Sequence, residues 1–153
     1  MYSTTPLRNL TMAPTAPLTI LLAEDDADDV AVLQRAFAEA CLPHQLKVVS
    51  TGLEVVHYLE GNSPYHDREI FPVPTVLLLD LPMPQGGGLN VLRWLSSHPY
   101  FRHLPVVVLT GSDKDEKEAI ALGAKDFYVK PTEIDDLVRI FQNISDNWLS
   151  PPR

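Results

Sequence analysis

The sequence predicts an α/β sandwich, one five-stranded parallel sheet with helices on both faces. Three observations predict it. Four apolar runs, at 19–25, 75–80, 105–110 and 126–130, stop on Glu24-Asp25, Asp80, Thr110 and Lys130. Uninterrupted runs of that length are what strands buried on both faces need. Stretches of helical period lie between them, with Gly and Pro at the joints. Ligands of an open parallel sheet bind beyond the carboxyl ends of its strands, so neighbouring strands of this kind bring their polar last residues to one crevice.

Residues 1–17 carry Thr and Pro but no apolar stretch long enough for a signal peptide, and are expected to form a mobile tail. Strand one, Thr19 to Asp25, leads into a helix from Ala27 to Cys41, whose buried face is marked by Val30, Leu33, Phe37, Ala40 and Cys41. Leu46 to Ser50 reads as strand two, and Gly52 to Glu60 as a short helix with Val55, Val56 and Leu59 inward. The connection from Gly61 to Pro74 holds Gly, Asn, Ser and Pro, the composition of a surface loop. Strand three ends at Asp80, a Pro- and Gly-rich loop runs from Leu81 to Gly88, and helix three spans Leu89 to Ser97. Strand four ends at Thr110, helix four covers Asp113 to Leu122 with Gly123 as its C-terminal cap, and strand five ends at Lys130.

The last helix, Thr132 to Leu149, opens with Thr132 and Asp135 at the spacing of a capping-box variant. Ile134, Leu137, Phe141, Ile144 and Trp148 form one stripe onto the sheet. Val138, Ile140 and Leu149 fall beside it, which fits either simple flank packing or a surface for a partner or a second copy. The domain division is therefore 1–17 tail, 18–149 one domain, 150–153 tail.

With 45% hydrophobic residues, the chain can bury a substantial core. Twenty acidic residues against twelve basic ones give a net charge of −8, which argues against nonspecific binding to nucleic acid or anionic membranes. No run approaches a membrane span. The lone Cys41 rules out an intrachain disulfide and, at the end of an apolar stripe, is expected to be a buried, reduced thiol, which points to the cytoplasm. The histidines His44, His57, His66, His98 and His103 lack zinc-site spacing, and Gly86-Gly87-Gly88 lacks the pattern of a phosphate-cradling loop and reads as flexible.

Singly, each polar strand end has a plain account: a turn cap for Asp80, a turn hydroxyl for Thr110, a solvated end for Lys130. Together and in order, Glu24-Asp25, Asp80-Leu81-Pro82-Met83-Pro84, Thr110-Gly111 and Lys130-Pro131 make the chain from Leu18 to about Trp148 resemble the receiver domain of two-component response regulators. The resemblance implies a three-layer (βα)5 flavodoxin-like fold with strand order 2-1-3-4-5. The long loop before strand three and the absence of an output domain look most like stand-alone regulators paired with phytochrome-type histidine kinases.

The chemistry accounts for these residue types. An aspartate attacks phosphorus without first losing a proton, and Asp80 is the candidate acceptor. Transfer then needs positioning and charge stabilisation. Carboxylates about 4 Å apart repel by about 4 kcal/mol at an effective dielectric near 20, so gathering Glu24, Asp25 and Asp80 calls for a divalent cation. Mg²⁺, which keeps waters and accepts phosphate oxygens, is the expected cofactor. By resemblance, Asp25, Asp80 and the backbone carbonyl of Pro82 ligate it, with Glu24 acting through water. Lys130 and Thr110 then donate to phosphoryl oxygens. Of the following acids, Asp26, Asp28 and Asp29 are read as helix N-terminal charge. The family also implies a cis Lys130-Pro131 bond and, with it, a slow folding phase.

By the same resemblance, Thr110 and Phe127 form a switch: phosphorylation draws the threonine inward and lets the ring follow, which repacks the face of helix four, strand five and helix five. The expected partner is a sensor histidine kinase, with a homodimer through that face as a further possibility. Pro82, two residues after the acceptor where the family commonly has a polar group, predicts a long-lived phosphoryl state. Self-phosphotransfer and autodephosphorylation are expected, but no enzymatic turnover. Two other readings stand beside this one: a receiver-like module that binds partners without phosphorylation, and an aspartyl-nucleophile phosphatase, which normally needs a second aspartate where Pro82 stands.

Overall fold

The computed structural model describes residues 16–149; the remainder of the expected tails lies outside them. Five strands form one parallel sheet: β1 (Thr19–Ala23), β2 (Gln45–Val49), β3 (Val76–Leu79), β4 (Val106–Thr110) and β5 (Asp126–Val129). Their order is β2-β1-β3-β4-β5, as the resemblance implied. Helices α1 (Ala27–Glu39), α2 (Gly52–Glu60), α3 (Gly88–Ser96), α4 (Glu116–Ala121) and α5 (Ile134–Ile144) alternate with the strands. Among the described residues, no helix is long and apolar enough to cross a membrane.

Strand parity divides the core into two layers, because successive side chains point to opposite faces. Leu21, Ala23, Leu77, Leu79, Val106 and Val108 pack with Val55, Tyr58, Leu92 and Ala119 of α2, α3 and α4. Ile20, Leu22, Leu78, Val107 and Leu109 pack with Leu33 and Ala36 of α1 and with Leu137, Phe141 and Ile144 of α5. Phe37 meets Phe141 edge-on at 5.4 Å, which joins the two helices of the second layer.

Four expectations change. The first helix ends at Glu39 with Ala40 as its cap, so Cys41 falls beyond it in a left-handed conformation (φ 54°) and is exposed, not buried. The last helix starts at Ile134 with Glu133 as N-cap and no side-chain cap bond. Thr132 precedes that cap and cannot serve the first turn, which instead carries Asp135 and Asp136 against the positive helix end. The Lys130-Pro131 bond is trans, the intrinsically favoured form, and the slow folding phase expected from it is dropped; the cis bond among the described residues is Ser63-Pro64. Finally, Ile140 (7% exposed) and Leu149 (3%) belong to the core. A π-helical turn at Ser145–Leu149 widens the helix, which brings Leu149 onto the buried side with Ile144. Flank packing is therefore the account for these two.

The connection at 61–74 is more than a solvated loop. The Arg68 guanidinium donates to Tyr58 O at 2.9 Å, Leu59 O at 3.0 Å and Phe71 O at 3.2 Å, while the Tyr58 hydroxyl donates to Pro72 O at 2.8 Å. Arg68 thus satisfies the last carbonyls of α2, and Tyr58, Tyr65 and Phe71 close over one another. Burial pushes the Tyr58 hydroxyl up to about 12, so it remains a donor.

The glycine-rich loop after β3 packs tightly on α2: Leu53 N donates to Gln85 O at 3.0 Å, and a Cβ on Gly52 would run into the Gly86 carbonyl. That close approach is the reason for Gly52. Gly52→Ala is expected to destabilise the protein by about 1–3 kcal/mol, an overpacking cost with no rotamer to relieve it. Urea unfolding of the two proteins measures the difference.

Candidate functional site

Backbone pairing fixes the polar strand ends. Glu24 N donates to Val49 O at 3.0 Å, Asp80 N to Ala23 O at 3.0 Å and Lys130 N to Thr110 O at 2.7 Å, so each residue continues a ladder beyond its strand. Parity then decides which side chains meet. Glu24, Asp80 and Lys130 keep the alternation of Leu22, Leu78 and Tyr128, on the side of α1 and α5, whereas Thr110 follows Val106 and Val108 to the side of α4. Glu24, Asp80 and Thr110 are buried, at 1%, 4% and 4% exposure.

Lys130 is the hub. Its ammonium lies 2.7 Å from Glu24 Oε2, 2.8 Å from Asp29 Oδ2 and 3.1 Å from Asp80 Oδ2. The second oxygens of Glu24 and Asp80 take backbone donors: Asp26 N reaches Glu24 Oε1 at 3.1 Å, and Leu81 N reaches Asp80 Oδ1 at 2.9 Å. Asp26 in turn caps α1, with Oδ1 accepting from Asp28 N and Asp29 N at 2.9 and 3.0 Å. Asp25 is exposed at the rim. Oxygens from Glu24, Asp25 and Asp80 lie within 4.8 Å of one another.

Three carboxylates thus contact one ammonium, and Asp25 adds a fourth beside Glu24 and Asp80. Burial drives the Glu24 carboxyl up to about 7, with Asp80 adding to the shift and the Lys130 bond opposing it. Burial works against the charge of Lys130 too, but hydrogen bonds to Asp29 and Glu24 and the Asp80 charge outweigh it and hold the ammonium above its ordinary value. A set of close carboxylate oxygens with no nitrogen or sulfur donor fits a hard divalent cation such as Mg²⁺ or Mn²⁺.

The structure therefore gathers Glu24, Asp25, Asp80 and Lys130, as the sequence led one to expect. Pro82 and Thr110 line an adjoining cleft of about 400 Å³ with Gly111, Ser112 and Lys114. Phe127 pairs with Val108, shares the sheet face of Thr110, and packs half-buried on the α2–α4 layer. Asp29 was missed as a partner of Lys130. Asp26 and Asp28 do serve the helix terminus, but Asp29 stands four and seven residues before Leu33 and Ala36, on the stripe of α1 that faces inward. That spacing was the available signal.

Comparison with known proteins decides the family. The model of the response regulator receiver domain matches residues 20–142. The chain belongs to the response regulator receiver family. Response regulator Rcp1 of Synechocystis is 32% identical over 136 residues, covering 87% of this chain and 90% of that protein. The crystal structure of the phosphorylated cyanobacterial phytochrome response regulator RcpA superimposes with TM-score 0.78 at 31% identity, covering 90% and 98% of the two chains. The Mn²⁺-bound form of Rcp1 does so with TM-score 0.74 at 29% identity, again over 90% and 98%. The receiver domain accordingly serves phosphorylation-based two-component signalling, with a sensor histidine kinase as its class of partner; neither the passive module nor the phosphatase is favoured.

The Glu24 shift sets a pH dependence for the metal-free receiver. A carboxyl whose folded value (about 7) exceeds its ordinary value (4.5) binds its proton more tightly when folded, so its contribution is full below about 4.5 and lost as pH rises through about 7. Lys130 stays charged throughout that window. His44, held down by burial, runs the other way near pH 6.5 and below. In chelator, Glu24→Gln is expected to gain stability relative to the parent protein between pH 5 and about 8, and the difference between the two chemical-denaturation profiles isolates Glu24.

Proposed function

We propose that Asp80 is the phosphoacceptor of a response regulator, taking the phosphoryl group from the phosphohistidine of a sensor kinase. The contact between the Lys130 ammonium and Asp80 Oδ2, beside the Glu24–Asp25–Asp80 oxygen cluster, carries the reading. A carboxylate oxygen of Asp80 forms the new bond to phosphorus as the bond to the histidine nitrogen breaks, and the electron pair leaves with the imidazole. Asp80 needs no base, since it enters as the anion. Lys130 donates to one phosphoryl oxygen and the Thr110 hydroxyl to a second, with the backbone N–H groups of Leu81 and Gly111 beside them. Asp25, Asp80 and the Pro82 carbonyl would hold Mg²⁺, with Glu24 acting through water. When bound, that ion neutralises the carboxylates and the incoming phosphoryl charge.

Output goes through α4, β5 and α5. Thr110 and Phe127 share the sheet face that α4 covers, so a threonine drawn toward the phosphoryl group frees space that the Phe127 ring can take. Helix α4 is short and buries Ala119 alone, so moving it disturbs little packing. Ile120 and Val129 stand about half exposed on this face, at 45% and 46%, an apolar surface for a partner or a second copy. The likeness to RcpA supports a phytochrome-type kinase as donor. The setting is cytoplasmic, and the receiver turns over no substrate beyond its own phosphorylation and dephosphorylation.

Incubation with acetyl phosphate and Mg²⁺ is expected to give one hydroxylamine-sensitive adduct by mass spectrometry, on Asp80 and absent from Asp80→Asn. Turnover of added phosphoesters would instead indicate a phosphatase, and no adduct a passive module. Exposed Pro82 offers water no side-chain donor, so Pro82→Asn is expected to speed loss of the phosphoryl group by about two- to tenfold, the effect of one added hydrogen bond. An unchanged decay rate would rule out this cause of a long-lived state.

A further inference from the structure

We propose that Asp29 is a latch on Lys130, a positioning residue that occupies one N–H of the active-site ammonium until phosphoryl transfer takes it over. The proposal rests on the reading of Asp80 as phosphoacceptor and adds a control to it. A lysine ammonium has three N–H groups and no acceptor. Here they meet three carboxylates, Glu24, Asp29 and Asp80, so Lys130 has none left for a phosphoryl oxygen. One of the three bonds must be given up.

Exposure decides which. Glu24 and Asp80 side chains are 1% and 5% exposed, and an anion left unpaired there loses its partner with no water to replace it. The Asp29 side chain is 45% exposed and its carboxylate has no other hydrogen-bond partner among the described residues, so water can take over when Lys130 leaves. Its place is set independently of the acceptor: the Asp26 cap fixes the first turn of α1, and Leu33, one turn on, is buried. The lysine is thus tied at rest to α1, at the crevice that Leu33, Pro131 and Leu137 line between α1 and α5. Transfer exchanges this tie for a phosphoryl oxygen, and the latch slows that exchange.

Asp29→Asn keeps the shape and removes the competing charge. Asp28→Asn makes the same charge change one residue away, on an exposed side chain with no bond to Lys130, and so measures the general electrostatic effect. The latch predicts phosphorylation by acetyl phosphate about three- to tenfold faster in Asp29→Asn than in Asp28→Asn, with Asp29→Glu close to the parent protein. It also predicts faster acylation of Lys130 by acetic anhydride in Asp29→Asn, read by peptide mass spectrometry without any phosphate donor. Equal phosphorylation rates for the two asparagine variants, a slower rate for Asp29→Asn, or unchanged Lys130 labelling each overturn the latch. If the parent protein takes up no phosphoryl group, the phosphoacceptor reading falls and the labelling alone decides the latch.

Discussion

The arrangement depends on an electrostatic imbalance held in place by one side chain. The ends of β1 and β3 put Glu24 and Asp80 into a region that water barely reaches, and Lys130 is the cation that makes their burial tolerable. The compensation is incomplete, as the upward drive on the Glu24 carboxyl shows. A fully neutralised cluster would be a good structural ion pair and a poor acceptor. Excess negative charge suits the site to a divalent cation, which on the proposed reading would remove the repulsion that an arriving phosphate meets. Stability is sacrificed locally for that affinity.

The two-residue period of the strands does more than bury Leu and Val. It sends Glu24, Asp80 and Lys130 toward α1 and α5, and Thr110 and Phe127 toward α4. The charged cluster and the proposed switch pair thus lie on opposite faces of one sheet. The packing follows the same division. On the chemical side, Phe37, Phe141, Leu137 and Ile144 lock α1 to α5. On the other side, α4 buries Ala119 alone and is tied to α3 by the Arg93–Glu118 pair at 2.7 Å.

Much of this was legible in the sequence because burial writes itself into long apolar runs. Each strand was found to within a residue or two, and Glu24, Asp25, Asp80 and Lys130 were picked from their places at strand ends. Local electrostatic detail was less visible. Asp29 was grouped with Asp26 and Asp28 because three neighbouring acids look alike at a helix start, and the inward stripe through Leu33 tells them apart. Cys41 was misplaced because apolar periodicity continues past the residue where the helix stops. The Arg68 clamp was invisible: its partners are backbone carbonyls, which carry no sequence signature.

The loop after β3 is where a rigid element meets the chemistry. Its carbonyls at Pro84 and Gln85 accept from the first N–H groups of α2, so a helix terminus that would otherwise need a side-chain or water partner is satisfied by the segment that carries Pro82. The Thr51 cap on Glu54 N and the Tyr65 bond to Glu54 fix the same terminus from the other side. Movement of Pro82 therefore costs backbone hydrogen bonds at α2, while α4, on the other side of the cleft, buries Ala119 alone. On the proposed reading, with the loop beside Asp80 held by α2, the free energy of forming the phosphoryl bond would go into α4 and β5.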